Sequence, residues 1–340
     1  MQFYVAPFLA LLYVAFASTS GTLALYATLP FLAASFAVLD AAFGLAPPTA
    51  PHDERRRHVR PLPWLYIPLQ VAVTLLAAIA ASRPDADAAT IVGLALAVGT
   101  VAGIFGMLAA HEMIHSPRRT ERALGLIMLA STTYMHFRIS HIRSHHRLAA
   151  TADDPATARR GESAYRFICR SVTGQFRAAL SDERARVERR NRLPTANRVN
   201  CYMAISAAIY LALGIFLGAK ADVFFALQSL VAVFVLELFN YVVHYGLQRR
   251  VLPDGRLEPL GAAHSWNAPQ RFTNWALMNG GYHSHHHRQP TRPHSGLGRT
   301  AEAPELPLGY AGVMALALVP PLWRAVMHPR IDRQVSSQAA

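Results

Sequence analysis

Residues Ala89–Ala110 read ATIVGLALAVGTVAGIFGMLAA, a stretch with no charged side chain, and they run without a break into His111-Glu112-Met113-Ile114-His115. A bilayer core about 30 Å thick takes roughly 20 apolar residues of helix. The run is long enough to cross, and the two histidines fall at its end. The same alternation recurs along the chain. Residues 2–45 hold a single charged side chain, Asp40, and later apolar runs cover Trp64–Ala81, Cys201–Leu217 and Asp222–Val243. The pattern predicts an all-α integral membrane protein of about six transmembrane helices, over residues 3–18, 21–44, 64–81, 89–110, 201–217 and 222–243.

Composition agrees with this segregation. The chain of 340 residues is 52% hydrophobic yet carries a net charge of +13, and its mean hydropathy is positive. Lys and Arg concentrate in cytoplasmic connections. Arg55, Arg56, Arg57 and Arg60 follow the second span, an Arg-rich region separates spans four and five, and the chain after span six is basic again. The connections Ser82–Asp87 and Gly218–Ala221 are short and lack excess positive charge. Six spans with both termini on the cytoplasmic side of the inner membrane satisfy the rule. The first run has no basic leader and is too long for a cleaved signal. The basic balance reads as anchoring to anionic lipid and as a face that can steer an acidic protein partner. No nucleic-acid-binding module is present. Cys169 and Cys201 lack CxxC spacing, so the chain carries no thiolate iron–sulfur motif and no disulfide framework.

The expected organisation is a single domain over residues 1–340, with cytoplasmic catalytic segments 111–200 and 244–310. Leu124–Ala130 is too short to span and reads as a buried or re-entrant helix. Ser181–Arg192, dense in Arg, Glu and Asp, reads as a solvated helix. Leu308–Trp323 is broken by Pro320-Pro321 and reads as an interfacial segment in preference to a seventh span.

Twelve of the sixteen histidines fall into clusters. His111 and His115 are spaced i, i+4, so both imidazoles can reach one metal from one helix face. Alone, this pattern is also a zinc-peptidase signature with Glu112 as general base. His136, His141, His145 and His146 form a second cluster, in which His141 and His145 repeat the i, i+4 spacing. The third is Asn240-Tyr241-Val242-Val243-His244-Tyr245-Gly246-Leu247, the fourth His264-Ser265-Trp266-Asn267 and the fifth His283-Ser284-His285-His286-His287. Six spans put the first, second, third and fifth on one side of the membrane. A single zinc site needs about three protein ligands, and this chain offers about three times that number. Two metal ions, each with four or five imidazoles, account for the count. Imidazole suits zinc, copper, iron and nickel alike; zinc cannot change oxidation state, and the residues do not choose between iron and copper. His52, His58, His294 and His328 read as polar residues of the membrane boundary.

With these motifs in place, the sequence resembles the membrane-bound alkane hydroxylases, part of the histidine-box superfamily that includes fatty acid desaturases and xylene monooxygenases. The resemblance runs from about Leu29 to Trp323. It rests on the His111–His115 box, the Phe137–His146 box, Asp154-Pro155-Ala156-Thr157-Ala158-Arg159 leading to Gly161-Glu162-Ser163, the Asn240–Leu247 box, His264–Asn267, and the final box with Pro290 and Arg292-Pro293 after it. The Asn-Tyr-x-x-His-Tyr-Gly box is the most specific, because general desaturases lack it. The resemblance implies two non-haem iron ions and nine ligands: His111, His115, His141, His145, His146, His244, His283, His286 and His287. His285 stands where the family usually has Asp and is left outside that set. Glu112, His136, Asn240, His264 and Asp154 are expected to orient the ligating imidazoles. Glu237, two helical turns before His244, either supports the site or makes a plain intramembrane polar contact.

The resemblance further implies hydroxylation of the terminal methyl of a medium-chain alkane, with O2 as co-substrate. Electrons would come from rubredoxin, or a ferredoxin, and its NAD(P)H-dependent reductase. Three positions depart from the family: Ser140 and Val243 stand where it usually has Glu, and Tyr282 where it usually has Arg. They keep an aryl-methyl hydroxylase in play as the alternative, with a desaturase behind it. An intramembrane zinc protease and a metal transporter fit the histidine count and placement less well.

Overall fold

The computed structural model describes residues 5–47 and 61–339. Arg55, Arg56, Arg57, Arg60, His52 and His58 lie outside the described residues. Among the described residues the chain is helical, with only isolated β-bridges. It divides into two compact units: residues 5–34, 61–140 and 178–236 form one, and residues 35–47, 141–177 and 237–339 form the other.

The apolar runs become helices of unequal length. Helix α1 covers Val5–Ser20, a short α2 Thr22–Tyr26 and α3 Thr28–Phe43. Gly21 adopts φ 100°, a left-handed setting open to glycine at little cost, and it ends α1 there. At 16 residues each, α1 and α3 are about 24 Å long, short of a bilayer core of about 30 Å. Expected spans at 3–18 and 21–44 are therefore broken into pieces that do not meet the crossing length. Four described helices do: α4 (Pro61–Ala81), α5 (Ala88–Ile114), α9 (Arg198–Leu217) and α10 (Ala219–His244). Between α5 and α9 lie α6 (Arg119–Ala130), α7 (residues 137–148) and α8 (Ala164–Arg189). The predicted short helix at Leu124–Ala130 is the second half of α6. After α10 come α11 (Arg271–Ala276), α12 (His283–Arg288), α13 (Tyr310–Ala317) and α14 (Pro320–Ala339). The bend of 119° between α13 and α14 falls at the Pro320-Pro321 pair, as its missing amide protons require.

In the first unit, α5 is the central helix. It packs on α10 through small residues. A Cβ on Gly99 would stand 2.6 Å from the Gln228 carbonyl, and one on Gly103 would stand 2.7 Å from Val235 Cβ. Two glycines four apart let the helix backbones approach closely, the packing that lipid-embedded helices use in place of a hydrophobic driving force. A π-helical turn over Ala102–Gly106 follows. Inserting one residue in this way rotates everything beyond it, here the last turns that carry His111 and His115. The α9 surface shows what surrounds the bundle: Leu211, Ile215 and Phe216 are 65%, 68% and 81% exposed. Exposed apolar area on that scale marks a lipid-facing or partner-facing surface.

Glu183 corrects the reading of Ser181–Arg192 as a solvated helix. The residue lies in α8, its side chain fully buried, and it accepts from the Arg186 guanidinium and from the side chain and amide of Arg198. Burial pushes its pKa up, but the arginine hydrogen bonds outweigh burial and hold the carboxyl at about 2.

Gly103→Leu should be destabilising by about 1–3 kcal/mol, the usual cost of overpacking, read as a lowered unfolding midpoint in detergent. Glu183 makes a second prediction. Its folded pKa lies below the ordinary 4.5, so its contribution to stability is complete above that value and drains away as pH falls toward 2. Glu183→Gln should flatten the acid limb of a stability–pH profile while lowering stability at neutral pH.

Candidate metal centre

The second unit gathers seven of the nine expected ligands. His145, His244, His283 and His287, all buried, form one cluster whose ligand atoms lie within 4.8 Å of one another. His244 is the last residue of α10, and His283 and His287 lie one turn apart on α12. Their Nε2 atoms make a tight triangle: 3.1 Å for His283–His244, 3.3 Å for His287–His244 and 3.0 Å for His287–His283. A neutral imidazole has one N–H and one acceptor nitrogen. Three Nε2 atoms facing each other cannot all be paired by hydrogen bonds. A cation about 2.1 Å from each would need nitrogens about 3.0–3.4 Å apart, which is the spacing present. The residues fit a metal ion. Burial first, and then the neighbouring His283, His145, His146 and His244, hold His287 well below the ordinary imidazole pKa. It is therefore neutral at pH 7, the form that ligates.

His141, His146 and His286 converge beside this cluster, with Nε2 distances of 3.0 Å for His146–His141 and 3.2 Å for His286–His146. The ring of His146 is 4.9 Å from that of His287, centroid to centroid, so the two groups are neighbours. Here the structure corrects the spacing argument. Ser140–His145 is a π-helical turn, whose hydrogen bonds close from i to i+5. That geometry brings the Nε2 atoms of His141 and His146, five residues apart, together, while His145, whose ring still lies 5.2 Å from that of His141, gives its ligand nitrogen to the other cluster. The remaining expected ligands, His111 and His115, face each other at 4.8 Å on the last turn of α5 in the first unit, both half-buried. Glu112 lies between them, half-buried as well.

The supporting residues are more specific than the ligand list. His145 bonds through Nδ1 to Asp154 Oδ2 at 2.8 Å, leaving Nε2 for the cluster. Asp154 is buried and also accepts from the Ala156 amide and from Thr157 Oγ1, while Thr157 Oγ1 takes the Ala150 amide. Carboxylate to imidazole to metal is the arrangement that fixes the tautomer and raises ligand basicity. Glu237 accepts from Gln175 Nε2 at 2.8 Å and from Asn240 Nδ2 at 3.4 Å, which ties α10 to α8 within the second unit. The imidazole of His264 accepts the Gly261 amide on Nδ1 and donates from Nε2 to Glu258, so it holds its own turn. His136 lies in the first unit against Tyr134, with burial lowering its pKa to about 4. His285 belongs to neither cluster: its Nδ1 accepts the Gly298 amide at 3.0 Å.

Two residues next to His264 do more than sequence reasoning assigned them. Trp266 donates its backbone N–H to the Val243 carbonyl and its indole N–H to the Tyr245 carbonyl, both at 2.9 Å. Asn267 Oδ1 accepts the Ser284 amide at 3.0 Å, capping the start of α12. The pair thus clamps the end of α10 to the histidine helix. The clue was present in the sequence, since a buried Trp and Asn must each find hydrogen-bond partners.

Residues 88–317 match the family model described as fatty acid desaturase. The chain is 39% identical over 71% of its length to alkane 1-monooxygenase 2 of Alcanivorax borkumensis, covering 64% of that protein. It is 36% identical over 86% of its length to alkane 1-monooxygenase 2 of Pseudomonas aeruginosa, covering 80% of it. This chain belongs to the fatty acid desaturase family, on its alkane 1-monooxygenase branch. The hydroxylase component of the xylene/toluene monooxygenase of Pseudomonas putida is more distant, at 25% identity over 70% of the chain. The chain spans less than two thirds of the Alcanivorax relative.

Removing the Asp154 carboxylate tests its place in this family member's centre. Asp154→Asn should weaken iron binding by about 10–100-fold, measured by competition with a chelator on detergent-solubilised protein. An unchanged affinity would show that Asp154 only closes its own turn.

Proposed function

We propose that this chain is a non-haem di-iron monooxygenase that hydroxylates the terminal methyl of medium-chain alkanes to primary alcohols. The observation that carries the reading is the pair of adjacent all-imidazole clusters in a chain of the alkane 1-monooxygenase branch. In this reading His145, His244, His283 and His287 hold one iron. His141, His146 and His286 contribute to the other, and His111 and His115 remain the further ligands that the family resemblance implies. Two redox-active ions bound there would supply oxygen activation, with one oxygen atom entering the product and the other leaving as water.

The chain's own residues do the positioning. Asp154 orients His145, and Trp266 with Asn267 sets α12 against His244. Neutral, buried ligands leave the ions their full charge, and the apolar surroundings keep water from competing with the substrate. An alkane partitions into lipid, because each methylene removed from water is worth about 0.8 kcal/mol, so the bilayer delivers it to a membrane enzyme. The reading places both termini and the centre on the cytoplasmic side of the inner membrane. Rubredoxin or a ferredoxin, with its reductase, supplies electrons at the basic face. An aryl-methyl substrate is the second reading, favoured only by the more distant xylene/toluene relative.

Cells producing the protein with a rubredoxin and its reductase, fed equimolar octane and p-xylene, should release octan-1-ol. The His145→Ala variant should release none. Methylbenzyl alcohol as the main product would move the enzyme to the aryl-methyl reading, and zinc in place of iron in the purified protein would overturn the oxygenase reading.

A further inference from the structure

Tyr245 follows His244 directly, and its side chain is fully buried. Its phenol oxygen accepts the Gly161 amide at 2.9 Å and sits 3.1 Å from His328 Nε2. The phenol and the imidazole thus share a hydrogen bond, in which the phenol is the donor when His328 carries its proton on Nδ1. The Trp323 ring lies 5.2 Å from Tyr245 and 5.5 Å from Tyr241, and the two tyrosines are 5.1 Å apart. All three rings are 0% exposed. Trp323 Nε1 is buried with no hydrogen-bond partner, and Tyr241 donates to the Glu162 carbonyl. His328 marks the rim, half-buried beside exposed Arg324 and the exposed Arg160–Asp332 ion pair. Burial, Arg160 and Arg324 lower its pKa against the opposing pull of Asp332, which keeps the ring neutral with one nitrogen free of a proton.

Phenol and indole are the most easily oxidised side chains after the sulfur-bearing ones. Packing alone would be met by Phe at position 245, with no need of a hydroxyl aimed at an imidazole. We propose that Tyr245, backed by Trp323 and Tyr241, is a protective electron relay from the metal centre at His244 to the surface at His328. The proposal rests on the oxygenase reading above. When oxygen has been activated but no substrate C–H bond is in reach, the oxidised centre takes one electron from Tyr245. The phenol O–H bond breaks, its proton moves to His328 Nε2, and a neutral tyrosyl radical remains beside an imidazolium. One electron from the external donor that hydroxylation already uses, arriving through the packed rings, then reduces the radical. The proton returns from His328 to the phenol oxygen and a second identical pass follows, so that two donor electrons and two solvent protons take the unused oxygen atom to water and both side chains are left unchanged. Without the relay, the oxidant attacks its own ligands.

The test uses the iron-loaded, reduced full chain in nanodiscs, mixed with oxygen and freeze-quenched. Without substrate, the wild type should show a tyrosyl radical by electron paramagnetic resonance, and octane should suppress it. Tyr245→Phe should lose the signal, and His328→Gln, which keeps the fold but removes the base, should diminish it. After repeated substrate-free cycles, mass spectrometry of the peptides holding His244 and His283–His287 should find oxidation raised several-fold in Tyr245→Phe. Iron content of each variant reports that its centre is intact. Wild-type protein that makes octan-1-ol but no radical overturns the relay and leaves the hydroxylase standing. A radical that persists in Tyr245→Phe also overturns it. Protein that makes neither product nor radical with iron bound overturns both readings.

Discussion

Everything in the second unit depends on bringing imidazole nitrogens to about 3 Å from one another, where they cannot satisfy each other with hydrogen bonds. Buried polar atoms in that state cost free energy unless a cation joins them. The ligand-bearing elements are poorly suited to holding such a cluster unaided. Helix α12 has six residues, far below the length at which a helix is stable alone, and α7 contains a π turn. Their positions are set from outside: by Asn267 at the start of α12, by Trp266 at the end of α10, and by the Asp154 turn at His145. These contacts are short in space and long in sequence, which makes the centre a product of the whole unit and not of any one histidine box.

Helix length does the rest of the positioning. Helices α5 and α10 have 27 and 26 residues, about 40 Å at 1.5 Å per residue. That exceeds a hydrocarbon core of about 30 Å, and each helix carries its ligands in the excess, His111 near the end of α5 and His244 at the end of α10. Both ends are C-terminal. The last carbonyls of a helix carry partial negative charge, which favours a cation placed beyond them. A long apolar helix ending in histidine therefore does two things at once. It sets its histidine beyond the length that a hydrocarbon core needs, and its end carries the partial charge that favours a cation.

How much of this was legible in the sequence divides along physical lines. Identity and spacing of the histidines were, because ligand chemistry is local and imidazole in such number has few other uses. So were the four long apolar helices, since twenty apolar residues leave the chain few alternatives. The grouping within the second box was not: i, i+4 arithmetic assumes an α-helix, and in the π turn the ligand nitrogen of His141 meets that of His146 while His145 joins the other cluster. In the first apolar run the break at Gly21 falls where the sequence was expected to divide, whereas the second break, at Ala27 between Thr22–Tyr26 and Thr28–Phe43, has no such mark in the sequence. Glu183 shows the limit of composition. A run of charges reads as solvated, yet two arginines let one carboxylate be buried at no net loss of pairing. Trp266 and Asn267 were visible as letters, but their work lies in contacts to Tyr245 and Ser284 that only the fold brings near.

The three departures from the family pattern can now be weighed by what occupies each position. Val243 contributes its backbone carbonyl to Trp266, which any residue could do, so losing a carboxylate there leaves the clamp intact. Ser140 bonds back to the Phe137 carbonyl within its own helix. Tyr282 is buried at the start of α12, against Ala46 and Leu297. None of the three touches the ligand spacing, so the centre tolerates them structurally. Electrostatically they are not neutral. Two negative charges and one positive charge are absent from the neighbourhood, a net change of one unit toward positive. Asp154 stays as a buried carboxylate bonded directly to a ligand. For metal ions bound as proposed, less negative charge nearby would favour their lower oxidation states, because Coulomb energy in a poorly solvated site is weakly screened. The same substitutions that leave the geometry alone therefore bear on the ease with which the centre is reduced.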